Sequence, residues 1–197
     1  MRTLIIGDVH GCSAELQTMI LQVQASNIIL VGDLFTKGPD PIGVWELIQH
    51  YHIQSTLGNH DVAICTTRPK KLPFEAYQYI ETLPLTIELE NCIVVHAGFH
   101  PFEKTTKQQA ITIRRVPNDL NDKNPFWWEL ITTKKLIVYG HDAKRGLQDH
   151  RPHTLGLDTG CVYGGHLTGY LVEEDRLISI PARQCYCPIQ KPTQEKK

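Results

Sequence analysis

The stretch TLIIGDVHGC, residues 3–12, begins with a short apolar run and then changes abruptly to Gly, Asp and His. A short apolar run that ends at glycine is typical of a buried strand. Residues 13–24 carry apolar side chains at helical spacing, so a helix is predicted there, with Ser13 as its N-cap. A buried strand, a polar loop and a helix in this order indicate a layered α/β domain.

The same alternation continues along the chain. Further strands are predicted at residues 27–31, 53–57, 85–89, 92–96, 136–139, 154–157, 168–172 and 177–180. Helices are predicted at residues 41–51, which open with proline, and at residues 61–82 with a break around 68–73. Residues 100–132 are irregular and are interpreted as a cap or insertion. A chain of 197 residues suits one domain, which we assign to residues 1–183, with a flexible tail at 184–197.

The composition indicates which partners and which cell compartment to expect. The formal net charge is −1, from 20 Lys and Arg against 21 Asp and Glu, which argues against a dedicated binder of long duplex nucleic acid. No apolar segment approaches the roughly 20 residues that a membrane helix needs, so no membrane partner is expected. Six scattered cysteines predict reduced thiols and a cytoplasmic protein.

The informative feature is a polar group at the end of each of five predicted strands. The groups are Gly7 to Gly11, Gly32-Asp33, Gly58 to Asp61, His96 to Gly98, and Gly140 to Asp142. In open α/β sheets, ligands collect in the crevice beyond the carboxyl ends of the strands. Taken alone, a Gly-Asp turn or a buried histidine is more often structural than functional. Five such groups at one edge of the fold predict a single site.

The residue types in these groups suit divalent metal ions. Mixed imidazole and carboxylate ligands are accepted by manganese, iron, zinc, nickel and cobalt. Two such ions about 3.5–4 Å apart need a bridging anion, and Asp33 is the predicted bridge. Asp8 and His10 would complete one ion, and the other would take the remaining ligands Asn59, His96 and His141. Such ions lower the pKa of a shared water toward roughly 7, which yields hydroxide for in-line attack on phosphorus.

The motifs GDVHG, GDLFTKGPD, GNHD, HAG and GHD together resemble the calcineurin-like metallophosphoesterases and, within them, the PPP phosphatases. The segments GDLFTKGPDP, YGHDAKRGLQ and LDTGCVYGGHLTG resemble the diadenosine tetraphosphatase branch with its ApaH-like phosphatases. The resemblance extends from residue 3 to about residue 182. It implies two packed β-sheets flanked by helices, with two metal ions, most often Mn²⁺, at the ends of the central strands.

The resemblance also implies roles for individual residues. His60 would act as general acid toward the leaving oxygen. Lys37 stands where the wider family places a phosphate-binding arginine, and Arg114 resembles a second phosphate-binding arginine. Asn59 would contact the substrate phosphate as well as a metal ion. Arg145 and Tyr163 are weaker candidates for the rim of the site.

Two departures from the phosphoprotein phosphatase pattern bear on the substrate. Position 36 is Thr, where those enzymes carry the aspartate that orients the catalytic histidine, and the partner of His60 is left open. Position 37 is Lys, which offers a point charge in place of a bidentate clamp. Both departures resemble the ApaH-like pattern and make a dedicated phosphoprotein phosphatase less favoured.

The sequence therefore predicts a dinuclear metal-dependent hydrolase of phosphoanhydrides in a small phosphorylated substrate. A bis(5'-nucleosyl)-tetraphosphatase with symmetrical cleavage is the leading interpretation. The alternatives are a phosphatase of phosphoserine, phosphothreonine or phosphotyrosine in a protein substrate, a polyphosphatase, and an RNA-cap pyrophosphohydrolase. A catalytically inactive phosphate-binding module is less favoured, since all six ligands and His60 are present. A nuclease is less favoured because of the near-neutral charge and the GLDTGCVYGG segment.

Overall fold

A computed structural model describes residues 2–69 and 72–188. The first half contains β1 (Thr3–Ile6), α1 (Ser13–Val23), β2 (Asn27–Leu30), α2 (Pro41–Tyr51), β3 (Gln54–Ser55), α3 (Asn59–Thr67), α4 (Phe74–Thr82), β4 (Thr86–Glu88) and β5 (Cys92–Val95). The second half contains α5 (Lys107–Thr112), β6 (Leu136–Tyr139), β7 (Gln148–His150), β8 (Thr154–Gly156), β9 (His166–Leu171) and β10 (Arg176–Pro181).

The strands form two five-stranded mixed sheets. The first has the order β10-β9-β1-β2-β3. Strands β1, β2 and β3 run parallel, β9 pairs antiparallel with β1, and β10 pairs antiparallel with β9. The second has the order β4-β5-β6-β8-β7, in which β5, β6 and β8 run parallel and both edge strands are antiparallel. The parallel central strands bring their carboxyl ends to one edge of each sheet, as the predicted site requires.

The two sheets pack face to face through apolar side chains. Ile5 and Ile29 of the first sheet meet Val94, Val138 and Leu155 of the second in one buried cluster. The opposite face of the first sheet is covered by α1 and α2, and its cluster includes Leu16, Met19, Val44 and Ile48. Burial of this apolar area is the main favourable term in folding. The prediction of two packed sheets flanked by helices is confirmed.

Residues 100–132 form a cap on the second sheet. Helix α5 and a short turn at Trp127 pack their apolar side chains against Tyr139 of β6. The ring of Trp127 lies 5.0 Å from that of Tyr139, and Trp127 and Trp128 are both buried. These two indoles are therefore core residues of the cap and are not exposed for stacking with a ligand.

Two local features differ from the sequence prediction. Ser13 is the first residue of α1, whose N-cap is Cys12, so the assignment of Ser13 as the cap was wrong. The hydroxyl of Ser13 donates instead to Asp40 at 2.6 Å, and Asp40 caps α2 by accepting from the backbone N–H of Gly43. Strand β7 was not predicted, because its residues are polar and pair only at the sheet edge.

The segment that follows β10 lies against the loop before β9. The backbone N–H groups of Tyr186 and Cys187 both donate to the carbonyl of Val162 at 3.0 Å. The predicted tail at 184–197 is thus hydrogen-bonded at residues 186 and 187, and residues 189–197 lie outside the described residues. None of the helices in residues 2–69 and 72–188 has the length and hydropathy of a membrane span.

Candidate metal centre

The six predicted metal ligands converge at the carboxyl ends of the parallel strands. Asp8 and His10 follow β1, Asp33 follows β2, and Asn59 begins α3 directly after β3. His96 and His141 follow β5 and β6 of the second sheet. The face-to-face packing of the sheets therefore brings ligands from both into one cluster, in which only Asn59 and His141 are not fully buried.

Asp33 lies at the middle of this cluster. Its Oδ2 is 3.6 Å from Nε2 of His10, and its Oδ1 is 3.6 Å from Nε2 of His96. Asp8 approaches the same His10 nitrogen at 4.0 Å, and Asn59 Oδ1 lies 3.0 Å from His96 Nε2. The two oxygens of Asp33 thus face two different groups of ligands, which is the arrangement that a bridging carboxylate requires.

Each histidine is oriented by a contact through one ring nitrogen. His96 Nδ1 lies 2.9 Å from the carbonyl of Val31, and His10 Nδ1 lies 2.9 Å from the hydroxyl of Thr36. His141 uses Nε2, at 3.2 Å from the carbonyl of Thr112. Such contacts fix the ring, and at His10 and His96 they place the other nitrogen, Nε2, 3.6 Å from Asp33. The backbone N–H of His141 also donates to Asp8 at 3.1 Å.

Three of the six ligands have a left-handed backbone. The φ angles are 45° at His10, 56° at Asp33 and 72° at His141. For a residue other than glycine this conformation costs of order 1–3 kcal/mol, and it persists only where the surrounding structure holds it. Asp61 supplies part of that support, because its buried carboxylate accepts from the backbone N–H groups of Asp33 at 2.8 Å, Leu34 at 2.9 Å and Gly58 at 3.0 Å.

The carboxylates of the centre are buried and lie near one another. Burial, and then the charges of Asp158 and Asp33, raise the pKa of Asp8 well above its ordinary value. Burial likewise raises the pKa of Asp33 to about 7. Buried like charges of this kind are stabilised by a cation placed between them.

The histidines show the complementary behaviour. Burial, and then the charge of Lys37, lower the pKa of His10 well below its ordinary value. Burial lowers the pKa of His96 to about 4 and also lowers that of His141. Neutral imidazoles offer lone pairs, and the carboxylates beside them offer negative charge, so the donor set fits a pair of divalent cations.

His60 lies beside the cluster. Its backbone N–H donates to Asp33 Oδ1 at 2.9 Å, and its ring stands edge-on to that of His10 with the centroids 5.1 Å apart. A ring nitrogen of His60 is within 4.8 Å of donor atoms of both His10 and Asp33, so a role as metal ligand is also open by geometry. Burial, and then the charge of Lys37, lower the pKa of His60 to about 4.

A cavity of about 630 Å³ opens from the cluster, and its wall is rich in cations. The cationic side chains that line it are Lys37, Arg114, Arg115, Lys144 and Arg145. Lys37 Nζ lies 3.5 Å from His10 Nε2 and 5.3 Å from the ring centroid of Tyr163, which also lines the cavity. The structure therefore brings Lys37 to the cluster and Arg145 and Tyr163 to the cavity wall.

Arg114 reaches the site from the cap. Its guanidinium donates to the carbonyl of His141 at 3.2 Å and lies 3.7 Å from Asp142, which is itself 3.4 Å from Arg145. The third guanidinium nitrogen of Arg114 lies 3.8 Å from Asp119. Asp142 thus holds two arginines at the cavity wall, although the sequence had indicated this residue only as part of the GHD motif.

Sequence reasoning gave no role to three buried acids of the site, Asp61, Asp142 and Asp158. The first two lie inside GNHD and GHD, and Asp158 lies inside LDTGCVYGG. Each residue therefore stands in a motif that already indicated the family resemblance. Asp158 lines the cavity, and its Oδ1 accepts from the backbone N–H of Gly160 at 3.1 Å. Only the tertiary contacts distinguish these residues from the neighbouring candidate metal ligands.

Known proteins resemble this chain in sequence and in structure. The family model described as calcineurin-like phosphoesterase matches residues 1–176. A bis(5'-nucleosyl)-tetraphosphatase PrpE, asymmetrical, from Oceanobacillus iheyensis is 28% identical over 93% of this chain and 94% of that protein. A symmetrical bis(5'-nucleosyl)-tetraphosphatase from Vibrio parahaemolyticus is 24% identical over 91% of this chain and 98% of that protein.

Among solved structures, the crystal structure of a candidate diadenosine tetraphosphatase superposes with a TM-score of 0.86. Its sequence is 32% identical to this chain, and the match covers 92% of this chain and 93% of the other. Two findings lead to one conclusion: the cluster of Asp, His and Asn side chains at the strand ends, and these matches to known proteins. The chain belongs to the calcineurin-like phosphoesterase family and is a metal-dependent hydrolase.

Proposed function

We propose that this hydrolase cleaves the phosphoanhydride chain of a dinucleoside tetraphosphate symmetrically, into two nucleoside diphosphates, with two divalent ions of which Mn²⁺ is preferred. The names of the relatives from Oceanobacillus and Vibrio support a tetraphosphatase, and they include both modes of cleavage. Six cysteines that are all free thiols within residues 2–69 and 72–188 support a cytoplasmic location.

The observation that carries the substrate class is the presence of five cationic side chains on the wall of one cavity, beside the acids Asp119, Asp122, Asp142 and Asp158. A tetraphosphate chain spreads its negative charge over several phosphate groups, and separated cations can contact that length. A single phosphoryl group needs only the metal ions and one or two cations. The cavity wall is therefore better matched to a polyphosphate chain than to a phosphomonoester.

In this proposal Asp8 and His10 would hold one ion, Asn59, His96 and His141 would hold the other, and Asp33 would be shared between them. When bound, the ions lower the pKa of an attacking water to about 7 and neutralise charge on the phosphate oxygens. The protein keeps these ligands in place through the contacts of the histidine rings and the hydrogen bonds of Asp61. Lys37 and Arg114 would hold the phosphate oxygens beside them.

His60 would donate a hydrogen bond to the oxygen of the leaving group. In the described residues no carboxylate hydrogen-bonds its ring, and the hydroxyl of Thr36, at the position where a phosphoprotein phosphatase carries aspartate, contacts His10 instead. A serine alkoxide is a strong base and needs a proton from a strong general acid. The terminal phosphate of a nucleoside diphosphate releases its last proton near pH 6, by analogy with the second pKa of about 6 for phosphate monoesters, and needs less help. This supports a phosphoanhydride over a phosphoserine substrate.

A panel of substrates with Mn²⁺ and product analysis tests the proposal. Diadenosine tetraphosphate, a capped dinucleotide, inorganic polyphosphate, a phosphopeptide and p-nitrophenyl phosphate are ranked by kcat/KM. The expected result is a preference for diadenosine tetraphosphate with ADP as the only nucleotide product. Formation of ATP and AMP would contradict the symmetrical mode of cleavage but not the tetraphosphatase activity. A preference for the phosphopeptide would contradict the substrate class.

A further inference from the structure

A second group of metal-binding side chains lies behind the loops of the metal centre. Cys12 follows the GDVHG loop, Glu15 is in the first turn of α1, and Cys161 follows the loop that carries Asp158. The exposed fractions are 0% for Cys12 and 1% for both Glu15 and Cys161. Their donor atoms, two sulfurs and a carboxylate oxygen, all lie within 4.8 Å of one another.

The carboxylate of Glu15 is bound on one side only. Its Oε1 accepts from the backbone N–H of Arg183 at 2.9 Å and from the hydroxyl of Tyr186 at 2.7 Å. Its Oε2 is buried and has no hydrogen-bond partner among the described residues. An unsatisfied buried acceptor of this kind costs about 1–3 kcal/mol, and more when it is charged. The contacts to Oε1 fix the orientation of the carboxylate while leaving its second oxygen free.

We propose that Cys12, Cys161 and Glu15 bind one Zn²⁺ ion, separate from the two ions of the catalytic centre. Thiolates with a carboxylate oxygen are ligands that zinc accepts, and three protein ligands leave a fourth position for a small molecule such as water. Binding displaces the thiol protons to solvent, as it does at other thiolate sites. The ion gives the free oxygen of Glu15 a partner, and the hydrogen bonds from Arg183 and Tyr186 then act as the outer contacts of the site.

A zinc ion here has a structural consequence. Through Glu15 it ties the segment after β10, which contains Arg183 and Tyr186, to the loops behind the catalytic ligands Asp8 and His10. Loss of the ion is expected to loosen this segment before the rest of the domain, because local opening starts where buried contacts are few.

Cobalt reports on this site alone, because the proposed ligands of the catalytic centre include no sulfur. The full chain is produced in zinc-depleted medium that contains Co²⁺, so that the buried site fills as the chain folds. The wild type is expected to show the near-ultraviolet band of thiolate-to-cobalt charge transfer, at about one thiolate-bound cobalt per chain. Cys161→Ser is expected to lose the band, and the matched variant Cys92→Ser, which removes another buried thiol, is expected to keep it.

A second variant covers the case in which Cys161→Ser fails to fold. Glu15→Gln keeps both thiols and is expected to keep the band while releasing cobalt to a chelator at least tenfold faster. The proposal is overturned if the wild type shows no thiolate band, or if the band persists in Cys161→Ser. It is also overturned if Cys185→Ser/Cys187→Ser alone removes the band. None of these outcomes depends on catalytic activity, so failure here leaves the proposed function unaffected.

Discussion

The carboxylate of Asp61 accepts a hydrogen bond from the backbone N–H of Asp33 at 2.8 Å. It also accepts from Leu34 at 2.9 Å and Gly58 at 3.0 Å, so one buried side chain connects the loop after β2 to the loop after β3. Asp33 lies in the first of these loops, and Asn59 begins α3 at the end of the second. Asp61 is therefore expected to position the ligands of the metal centre without touching a metal ion itself.

Asp61→Asn should destabilise the protein and weaken its metal binding. Asparagine keeps one acceptor oxygen and points an N–H₂ donor at backbone donors, which leaves at least one buried N–H unpaired at a cost of about 1–3 kcal/mol. Urea unfolding and Mn²⁺ titration by calorimetry measure the two effects. Asp122→Asn, an exposed acid of the cavity wall, is the matched control. Wild-type metal affinity in Asp61→Asn would remove its positioning role.

His60→Asn should separate catalysis from metal binding. We expect the metal content to stay at the wild-type level and kcat to fall by roughly a hundredfold, since the hydrogen-bond donor to the leaving oxygen is removed. Metal analysis together with steady-state kinetics on diadenosine tetraphosphate checks this. Asp33→Asn is the contrasting variant, for which both turnover and metal content should be lost. Loss of metal from His60→Asn would instead assign His60 as a ligand, which its distance to His10 and Asp33 also permits.

Arg114→Ala should raise KM for a tetraphosphate substrate by about ten- to a hundredfold, the usual value of one or two hydrogen bonds to a charged group. The effect on p-nitrophenyl phosphate should be smaller if the cation contacts a phosphate away from the reacting one. Arg176→Ala is the matched control, since Arg176 forms an exposed ion pair with Glu174 at 2.9 Å. Equal losses for both substrates would place Arg114 at the reacting phosphate.

Gly140→Ala should disrupt the metal centre by crowding the side chain of Asp8. A Cβ at this position would overlap Oδ1 of Asp8 and lie 2.6 Å from a methyl group of Val31, so both side chains must move. Overpacking of this kind costs about 1–3 kcal/mol. We expect a lower melting temperature and metal affinity reduced at least tenfold. Gly146→Ala, whose Cβ would meet nothing within 4 Å, should cost about 1–3 kcal/mol through its positive φ and leave metal binding unchanged.

The buried cysteines should be inert toward alkylation in the folded protein. Burial raises the pKa of Cys92 to about 11, so at pH 8 only about one thiol in a thousand is ionised. Cys185 is exposed and should react first with iodoacetamide. Peptide mass spectrometry after a short native-state pulse gives the order of labelling. Rapid labelling of Cys92 at pH 8 without unfolding would contradict its burial.

Local pattern predicted most of the strands and helices, because apolar periodicity and turn residues act over a few positions. Helix α2 begins at Pro41 and ends at Tyr51 as predicted, since proline suits the first helical position and Asp40 caps it. The prediction of Ser13 as the N-cap of α1 was wrong because of a contact with a distant segment. The hydroxyl of Ser13 donates a hydrogen bond to Asp40. Strand β7 was missed because pairing with β8, and not apolar alternation, holds it in the sheet.

The sequence by itself determined which residues are the candidate ligands of the metal centre and their order along the chain. Short loops after parallel strands leave a ligand little freedom, so its position follows from the strand that precedes it. The tertiary structure decided which cations reach the cavity, for Arg114 enters from an irregular cap whose path depends on packing against β6. It alone brought Cys12, Glu15 and Cys161 together, because contacts between distant segments are fixed by the packing of whole elements and leave no periodic trace in the sequence.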